Sequence, residues 1–392
     1  MKILHTVEFY HPSIGGMQEV VKQLSERLVR LGHEVTVATT RLPERAERVI
    51  NGVRIEEFAI NGNLAWGMTG ELDRYREFVV NGGFEVVTNF AAQQWATDAL
   101  ITMLDGIIAK KVFVPTGFSG LYDQRFKDYF VSMKSWMKQY DMNVFLSDDY
   151  RDINFARQFA VEKMMVIPNG ASEDEFLPEP EIDIRAQLGI PRDQLLILHV
   201  GSHTGIKGHT EAIRIFARAQ IRNATLLMVA NDFGGGCARA CKIRKALFNV
   251  WPKRKSDGKR LLITSLPRQE TVAAYQAADL FLFPSNIECS PLVLFECMAS
   301  RTPFLTTKVG NAAEIAAWSG GGIVLPTSID AKGYSRAELP GSASMLEGVC
   351  GNRAQRELMG VEGHKAWLER FTWGRLAGSY EQLYYRLVEG TG

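Results

Sequence analysis

The chain of 392 residues contains no run of about 18 consecutive apolar residues, the length that a membrane-spanning helix requires. It also lacks an excess of either charge. Forty-five Lys and Arg stand against 44 Asp and Glu, so the electrostatic footprint of a nucleic-acid-binding protein is missing. Cysteine is scarce: five residues, at 237, 241, 289, 297 and 350, an odd number without zinc-type spacing. Cys237 and Cys241 could share one helix face, but two thiols without further ligands make a weak metal signal. Reduced thiols in a cytoplasmic protein that holds no metal are the expectation. Residues 1–7 carry no secretory pattern and lead directly into a glycine loop. No Gly-x-Gly-x-x-Gly run follows an apolar stretch, which counts against a nicotinamide dehydrogenase. No low-complexity segment occurs.

What is present is a repeated pattern. Residues 3–7 read as a short apolar strand running into Gly15 and Gly16. Met17, Val20, Val21, Leu24, Leu28 and Leu31 then recur at helical spacing, Gly32 stops the helix, and 35–39 is the next strand. Residues 195–200 open the second half the same way. They run into Gly201 and then Lys207 and Gly208, a helix bearing Ala212, Ile213, Phe216 and Ala217, and a strand at 226–230. Further strands are expected at 53–60, 84–89, 111–115, 143–147 and 164–168. From 268 to 325, helices (268–278, 290–300, 312–317) alternate strictly with strands (279–284, 303–307, 322–325). Such alternation demands parallel sheets, so the fold class is α/β with two tandem doubly wound Rossmann-like domains. The expected division is 1–170 for the first domain, 171–183 as linker, 184–370 for the second domain, and 371–392 for a closing segment. Its helix, about 375–388, places Leu376, Tyr380, Leu383, Tyr384 and Leu387 on one face.

The segment 284–296 concentrates the chemistry. Glu288 and Glu296 are two carboxylates separated by seven residues. Ser290 suits an N-cap and Pro291 the first helical position, where its missing N–H costs nothing. The amides of Leu292, Val293 and Leu294 would then point from a positive dipole end, ready for a phosphate. Lys207, on the first loop of the second half, can project into the same region. An ordinary βα unit with two surface acids and a solvated lysine is the bland alternative.

These residues resemble the retaining nucleotide-sugar glycosyltransferases of family four, which have the GT-B fold, and the match runs over nearly the whole chain. Gly15-Gly16-Met17-Gln18-Glu19 looks like the family's N-terminal glycine loop, and 167–178 like its interdomain segment. Gly201 through Lys207-Gly208 is similar to the phosphate loop, and Glu288 to Glu296 to the paired-glutamate signature. Thr302-Pro303, Val309-Gly310 and Glu314 continue it, and Phe371-Thr372-Trp373 resembles the aromatic pair before a helix that returns to the first domain. The resemblance implies roles. Lys207 would hold the donor diphosphate and offset charge as the glycosidic bond breaks, and Glu288 would contact the transferred sugar. Glu296 would accept from both ribose hydroxyls. Gly15 and Gly16 would admit the diphosphate close to backbone, while Ser202, Pro291, Leu292 and Val293 would line the donor site and Leu266 the base pocket.

Several positions depart from that family. Ser202 stands where an Arg is usual, leaving His203, Arg239 or Arg268 as candidates to replace its charge. Thr116 and Asn89 occupy acceptor-side positions where a His is common, and Ser172 stands where an Asp often follows Asn-Gly. The implied activity is transfer of a hexosyl unit from a nucleotide diphosphate sugar, UDP-linked or GDP-linked, to a glycan or lipid-linked acceptor, without metal or cofactor. Asp148-Asp149 reads as a helix start rather than a metal motif. Rivals are a nucleotide-sugar epimerase or phosphorylase on the same fold, separable by turnover without acceptor, and a non-catalytic two-lobed binding protein. The basic segment 239–260, with Leu247, Phe248, Val250 and Trp251 interleaved, is either a solvated surface or a contact with an anionic membrane.

Overall fold

Residues 3–7 form the strand Lys2–Thr6, which runs through the middle of an eight-stranded sheet. On one side lie Glu34–Thr40, Val53–Phe58 and the short antiparallel edge Val49–Ile50; on the other lie Val86–Phe90, Lys110–Val114, Met142–Phe145 and Met164–Val166. All other pairings are parallel. The computed structural model describes residues 1–231, 235–252 and 256–390.

The chain divides into two compact units, Met1–Asn169 together with the segment from Trp373 onward, and Gly170–Thr372. In the first, the helix Gly16–Arg30 buries Val20, Val21, Leu24 and Leu28, as its spacing requires. The closing helix Trp373–Glu389 packs on it. There Tyr384 Oη lies 3.2 Å from His5 Nε2 and 2.7 Å from Thr88 Oγ1, so a residue near the C-terminus is bonded to two central strands. Aromatic side chains dominate this core, with Phe58, Tyr75, Trp95, Phe113 and Tyr140 fully buried.

The second unit has six parallel strands in the order Lys259–Thr264, Ala224–Val229, Leu195–Val200, Leu280–Phe283, Phe304–Thr306 and Gly322–Val324. Counted within the unit this is 3-2-1-4-5-6, the doubly wound order, whose switch point lies between Leu195–Val200 and Leu280–Phe283. The four central strands are buried on both faces between two apolar clusters, which is why they read as continuous hydrophobic runs.

Several expectations need adjusting. The strand expected over 53–60 ends at Phe58, and Ile60–Asn63 turns into an antiparallel pair with Gly67–Gly70. Asp148 and Asp149 precede the helix Arg151–Gln158 rather than begin it. They hold it from outside, Asp148 through Arg157 (2.6 Å) and Asp149 through Asn154 (2.8 Å). Residues 171–183, acidic and proline-bearing, carry the short helix Glu173–Phe176, and Phe176 is buried in the second unit's core. Ala171 donates its amide to Phe371 O (3.1 Å), and Trp367 Nε1 donates to Ala171 O (3.2 Å), so 371–372 belong with the second unit.

Candidate active site

Two loops leave the switch point of the second unit, 201–208 after one strand and 284–291 after its neighbour. Gly208 fixes their separation. Its φ of +74° is left-handed, and a Cβ there would lie 1.9 Å from the carbonyl oxygen of Pro284. Only glycine permits both the turn and this contact. The loops are then bonded together: Asn286 N donates to Ile206 O at 2.8 Å, and Ser285 Oγ lies 3.2 Å from the same carbonyl.

Lys207 and Glu288 meet across this seam. The ammonium lies 2.7 and 2.8 Å from the two carboxylate oxygens, and Ser285 Oγ donates to Glu288 Oε1 at 2.8 Å. Ser285 is itself held, because Thr307 Oγ1 donates to its carbonyl at 2.5 Å. Gly310 does for the second loop what Gly208 does for the first: with φ +51°, a Cβ would come 2.2 Å from Cys289 O. Asn311 N then donates to that carbonyl at 2.9 Å. Each element of the signature from Pro284 to Gly310 therefore supports the position of Glu288.

The helix begins one residue later than expected. Pro291, with an extended ψ of 113°, occupies the cap, and the helix is Leu292–Ala299. The Ser290 hydroxyl accepts from Asn311 Nδ2 at 3.2 Å. The amide of Leu294 is not available to an anion, because it donates to Pro291 O at 3.2 Å. Leu292 and Val293 remain the leading amides. Glu296, buried on this helix, pairs through Oε1 with Arg268 Nη1 at 2.6 Å. Arg268 also grips both oxygens of Glu175, at 2.9 and 2.7 Å. Leu266, half-buried on the loop before the helix Arg268–Ala277, packs on the same apolar cluster.

Of the three cations offered as substitutes at Ser202, Arg268 is engaged by Glu296 and Glu175, Arg239 is exposed on the helix Gly236–Val250, and His203 is buried beside Cys237. Half-buried Ser202 accepts the Thr204 amide at its carbonyl, at 2.7 Å.

Residues 14–175 match the family model "Glycosyltransferase Family 4", and residues 180–337 match "Glycosyl transferases group 1". The chain belongs to glycosyltransferase family four. It is 25% identical, over the full length of both chains, to an uncharacterized glycosyltransferase of Methanocaldococcus jannaschii. It is 21% identical to N-acetyl-alpha-D-glucosaminyl L-malate synthase of Bacillus anthracis over 96% of each chain. Among solved structures it is similar to sucrose-phosphate synthase of Thermosynechococcus elongatus (TM-score 0.78, 19% identity, 99% of each chain). It is also similar to HepE of Anabaena in complex with UDP (TM-score 0.73, 16% identity, 98% of this chain and 99% of that one). These likenesses give the glycosyltransferase its GT-B fold.

The first unit of this glycosyltransferase carries groups that its sequence did not single out. Arg45, deeply buried and paired with Glu57, donates to the carbonyls of Tyr10 (3.0 Å) and His11 (2.7 Å), bracing the loop that leads to Gly15. Gly15 itself has extended backbone (φ 179°), and a Cβ there would crowd only the flexible Gln18 amide. The fold therefore supplies no reason for glycine at 15. Asn89 is buried, donating to Thr6 Oγ1 (2.7 Å) and accepting from Tyr140 Oη (2.9 Å). Thr116, Gly117 and Phe118 all have positive φ, and the Gly117 amide donates to Asp152 at 2.8 Å. Burial pushes the carboxyls of Asp152 and Asp98 up to about 6, and raises that of Glu8 just beyond the first strand. These acids lie in no motif; only their burial by distant segments distinguishes them. In the described residues no helix is long and apolar enough to cross a membrane.

Proposed function

We propose that this glycosyltransferase moves a hexosyl unit from a nucleotide diphosphate sugar, UDP-linked in preference to GDP-linked, to a hydroxyl of a glycan or glycolipid intermediate with retention of configuration. The observation that carries the reading is the Lys207–Glu288 pair, held between neighbouring loops at the sheet's switch point, where α/β folds bind ligands. A diphosphate entering there takes the Lys207 ammonium as its counter-charge, and Glu288 turns to the sugar hydroxyls. Glu296, oriented by Arg268, accepts from the ribose, and the leading amides of Leu292 and Val293 face the phosphates together with Ser202. Pro291 and Leu266 contribute apolar walls. Gly15 and Gly16 carry no Cβ, which suits close approach of a diphosphate to backbone. The UDP choice is supported by HepE of Anabaena, which carries UDP.

Transfer is front-face. The bond from the anomeric carbon to the diphosphate oxygen breaks, the acceptor oxygen bonds to that carbon on the same face, and its proton passes to the departing oxygen. Double displacement needs two carboxyl groups about 5–5.5 Å apart across one scissile bond. Here each glutamate is engaged by a different cation, Glu288 by Lys207 and Glu296 by Arg268, which suits binding rather than nucleophilic attack. No metal or cofactor enters the step; Lys207 and the helix start supply the electrostatic stabilisation. The lipid-linked form of the acceptor is supported by Ile243, Leu247, Val250 and Trp251, exposed beside Arg239 and Lys242, a composition suited to an anionic bilayer surface.

The test is a thermal-shift panel of nucleotide sugars, followed by transfer with the anomer read by NMR. A donor at 100 times its dissociation constant adds about 2.7 kcal/mol of stability. No stabilisation by any nucleotide sugar, or a product of inverted configuration, overturns the reading.

A further inference from the structure

The sequence offers Cys237 and Cys241 without a third ligand, and the fold supplies one. His203, on the loop before Lys207, is brought against the first turn of the helix Gly236–Val250, with its Nδ1 3.5 Å from Cys237 Sγ. One ligand atom each from His203, Cys237 and Cys241 lie within 4.8 Å of one another. We propose that these three side chains form a binding site for a thiophilic divalent cation, zinc above all, which clamps the 201–208 loop to the helix Gly236–Val250.

The geometry is close to what the ion needs. Zinc–sulfur bonds of about 2.3 Å and zinc–nitrogen bonds of about 2.0–2.1 Å in a tetrahedron set neighbouring ligand atoms roughly 3.5–3.8 Å apart. The His203–Cys237 contact already has that length, and the widest separation permitted by the cluster closes by about 1 Å. The surroundings are dry: Cys241 is fully buried and His203 nearly so, while Cys237 keeps a path to solvent. Cysteines four apart on a helix face the same way.

Neighbouring groups prepare the site. The ring of His209 stacks on that of His203, centroids 4.5 Å apart, which fixes the ligand's plane. A bound divalent ion deprotonates its thiol ligands outright. The site stands apart from the transfer reaction, since neither cysteine belongs to the proposed donor machinery. What it controls is the placement of the loop that ends in Lys207.

Metal analysis of the full-length protein, purified without chelator, tests the proposal. One zinc per chain is expected, falling to background in Cys237→Ser, Cys241→Ser and His203→Ala, while Cys350→Ser, whose thiol lies elsewhere in the fold, keeps its zinc. Cobalt replacement gives a readout that does not depend on any variant folding: thiolate ligation produces intense near-ultraviolet charge-transfer absorption and tetrahedral visible bands. Wild-type protein that takes up neither zinc nor cobalt on titration, or cobalt-loaded protein without the charge-transfer absorption, overturns the site. Zinc retained at full stoichiometry in both cysteine variants overturns it as well.

Discussion

Lys207 and Glu288, 81 positions apart in the chain, bond as a forked ion pair, the ammonium 2.7 and 2.8 Å from the two carboxylate oxygens. Each is therefore aimed before any donor arrives. A diphosphate must draw the ammonium from its partner, and the freed carboxylate then faces whatever follows the phosphates. Preorganised charge of this kind gains most where charge grows during bond breaking.

Lys207→Ala should lower the maximal transfer rate by about 10²–10³, the usual cost of removing one preorganised donor, with a smaller change in donor affinity. Steady-state kinetics beside calorimetry separates the two. Ser202→Arg in the Lys207→Ala background should recover part of the rate. A variant that binds weakly but turns over normally at saturation would leave Lys207 as a docking residue.

Glu296→Gln should weaken a ribonucleotide donor far more than its 2′-deoxy analogue, because the analogue has already lost one paired hydroxyl. Arg268→Ala should weaken the same donor through Glu296, so its effect should shrink when Glu296 is already Gln. A double-mutant cycle by calorimetry measures this, and full additivity would separate Arg268 from the ribose.

Gly208→Ala should destabilise the protein by at least about 2 kcal/mol, because a left-handed alanine costs about 1–2 kcal/mol and its Cβ also meets the Pro284 carbonyl. Gly205 has φ +85° but nothing near its absent Cβ, so Gly205→Ala should show the backbone cost alone. Denaturant titration of both variants reads the difference, and equal losses would remove the clash from the account.

Burial lowers the His5 imidazole from 6.5 to about 3, with Ser25 Oγ (2.8 Å) and Tyr384 Oη (3.2 Å) at its two nitrogens. Between those values the unfolded chain binds the proton and the folded chain does not. Its contribution is present above about pH 6.5 and is lost as pH falls toward 3, at up to about 1.4 kcal/mol per pH unit. His5→Gln should flatten the acid side of the stability curve. An unchanged slope between variant and wild type would rule out His5 as its source.

Liposome flotation tests the basic helix. Binding to anionic vesicles should weaken with salt and with Leu247→Ser or Trp251→Ser. Salt-independent or absent binding sinks the membrane contact. Two of the segment's cations make backbone contacts instead of standing on the helix. Buried Lys259 donates to Ala219 O at 2.8 Å, and Arg260 to Gly189 O at 2.6 Å. Lys253, Arg254 and Lys255 lie outside the described residues.

Much of this fold was legible in the chain. Strand runs such as residues 195–200 and helix spacing such as Val20, Val21, Leu24 and Leu28 are local signals, because burial on a sheet or helix face repeats with the element's own period. The glycines of the two loops were legible too, since the demand on them is made by backbone a few residues away or by a motif of fixed spacing. Helix starts were not: Ser290 and Pro291 have the right chemistry for cap and first turn, yet Pro291 takes the cap position and the helix starts one residue later. Pairing was beyond reach altogether. That Arg268 answers Glu296 rather than the gap at Ser202, that Asn89 turns to Thr6 and Tyr140, and that His203 joins Cys237 and Cys241, depend on segments brought together by the parallel sheets. Sequence determines which groups each loop carries, through local propensity and periodicity. Which of them touch is decided by the crossover connections of the sheet, a long-range geometry that no local pattern encodes.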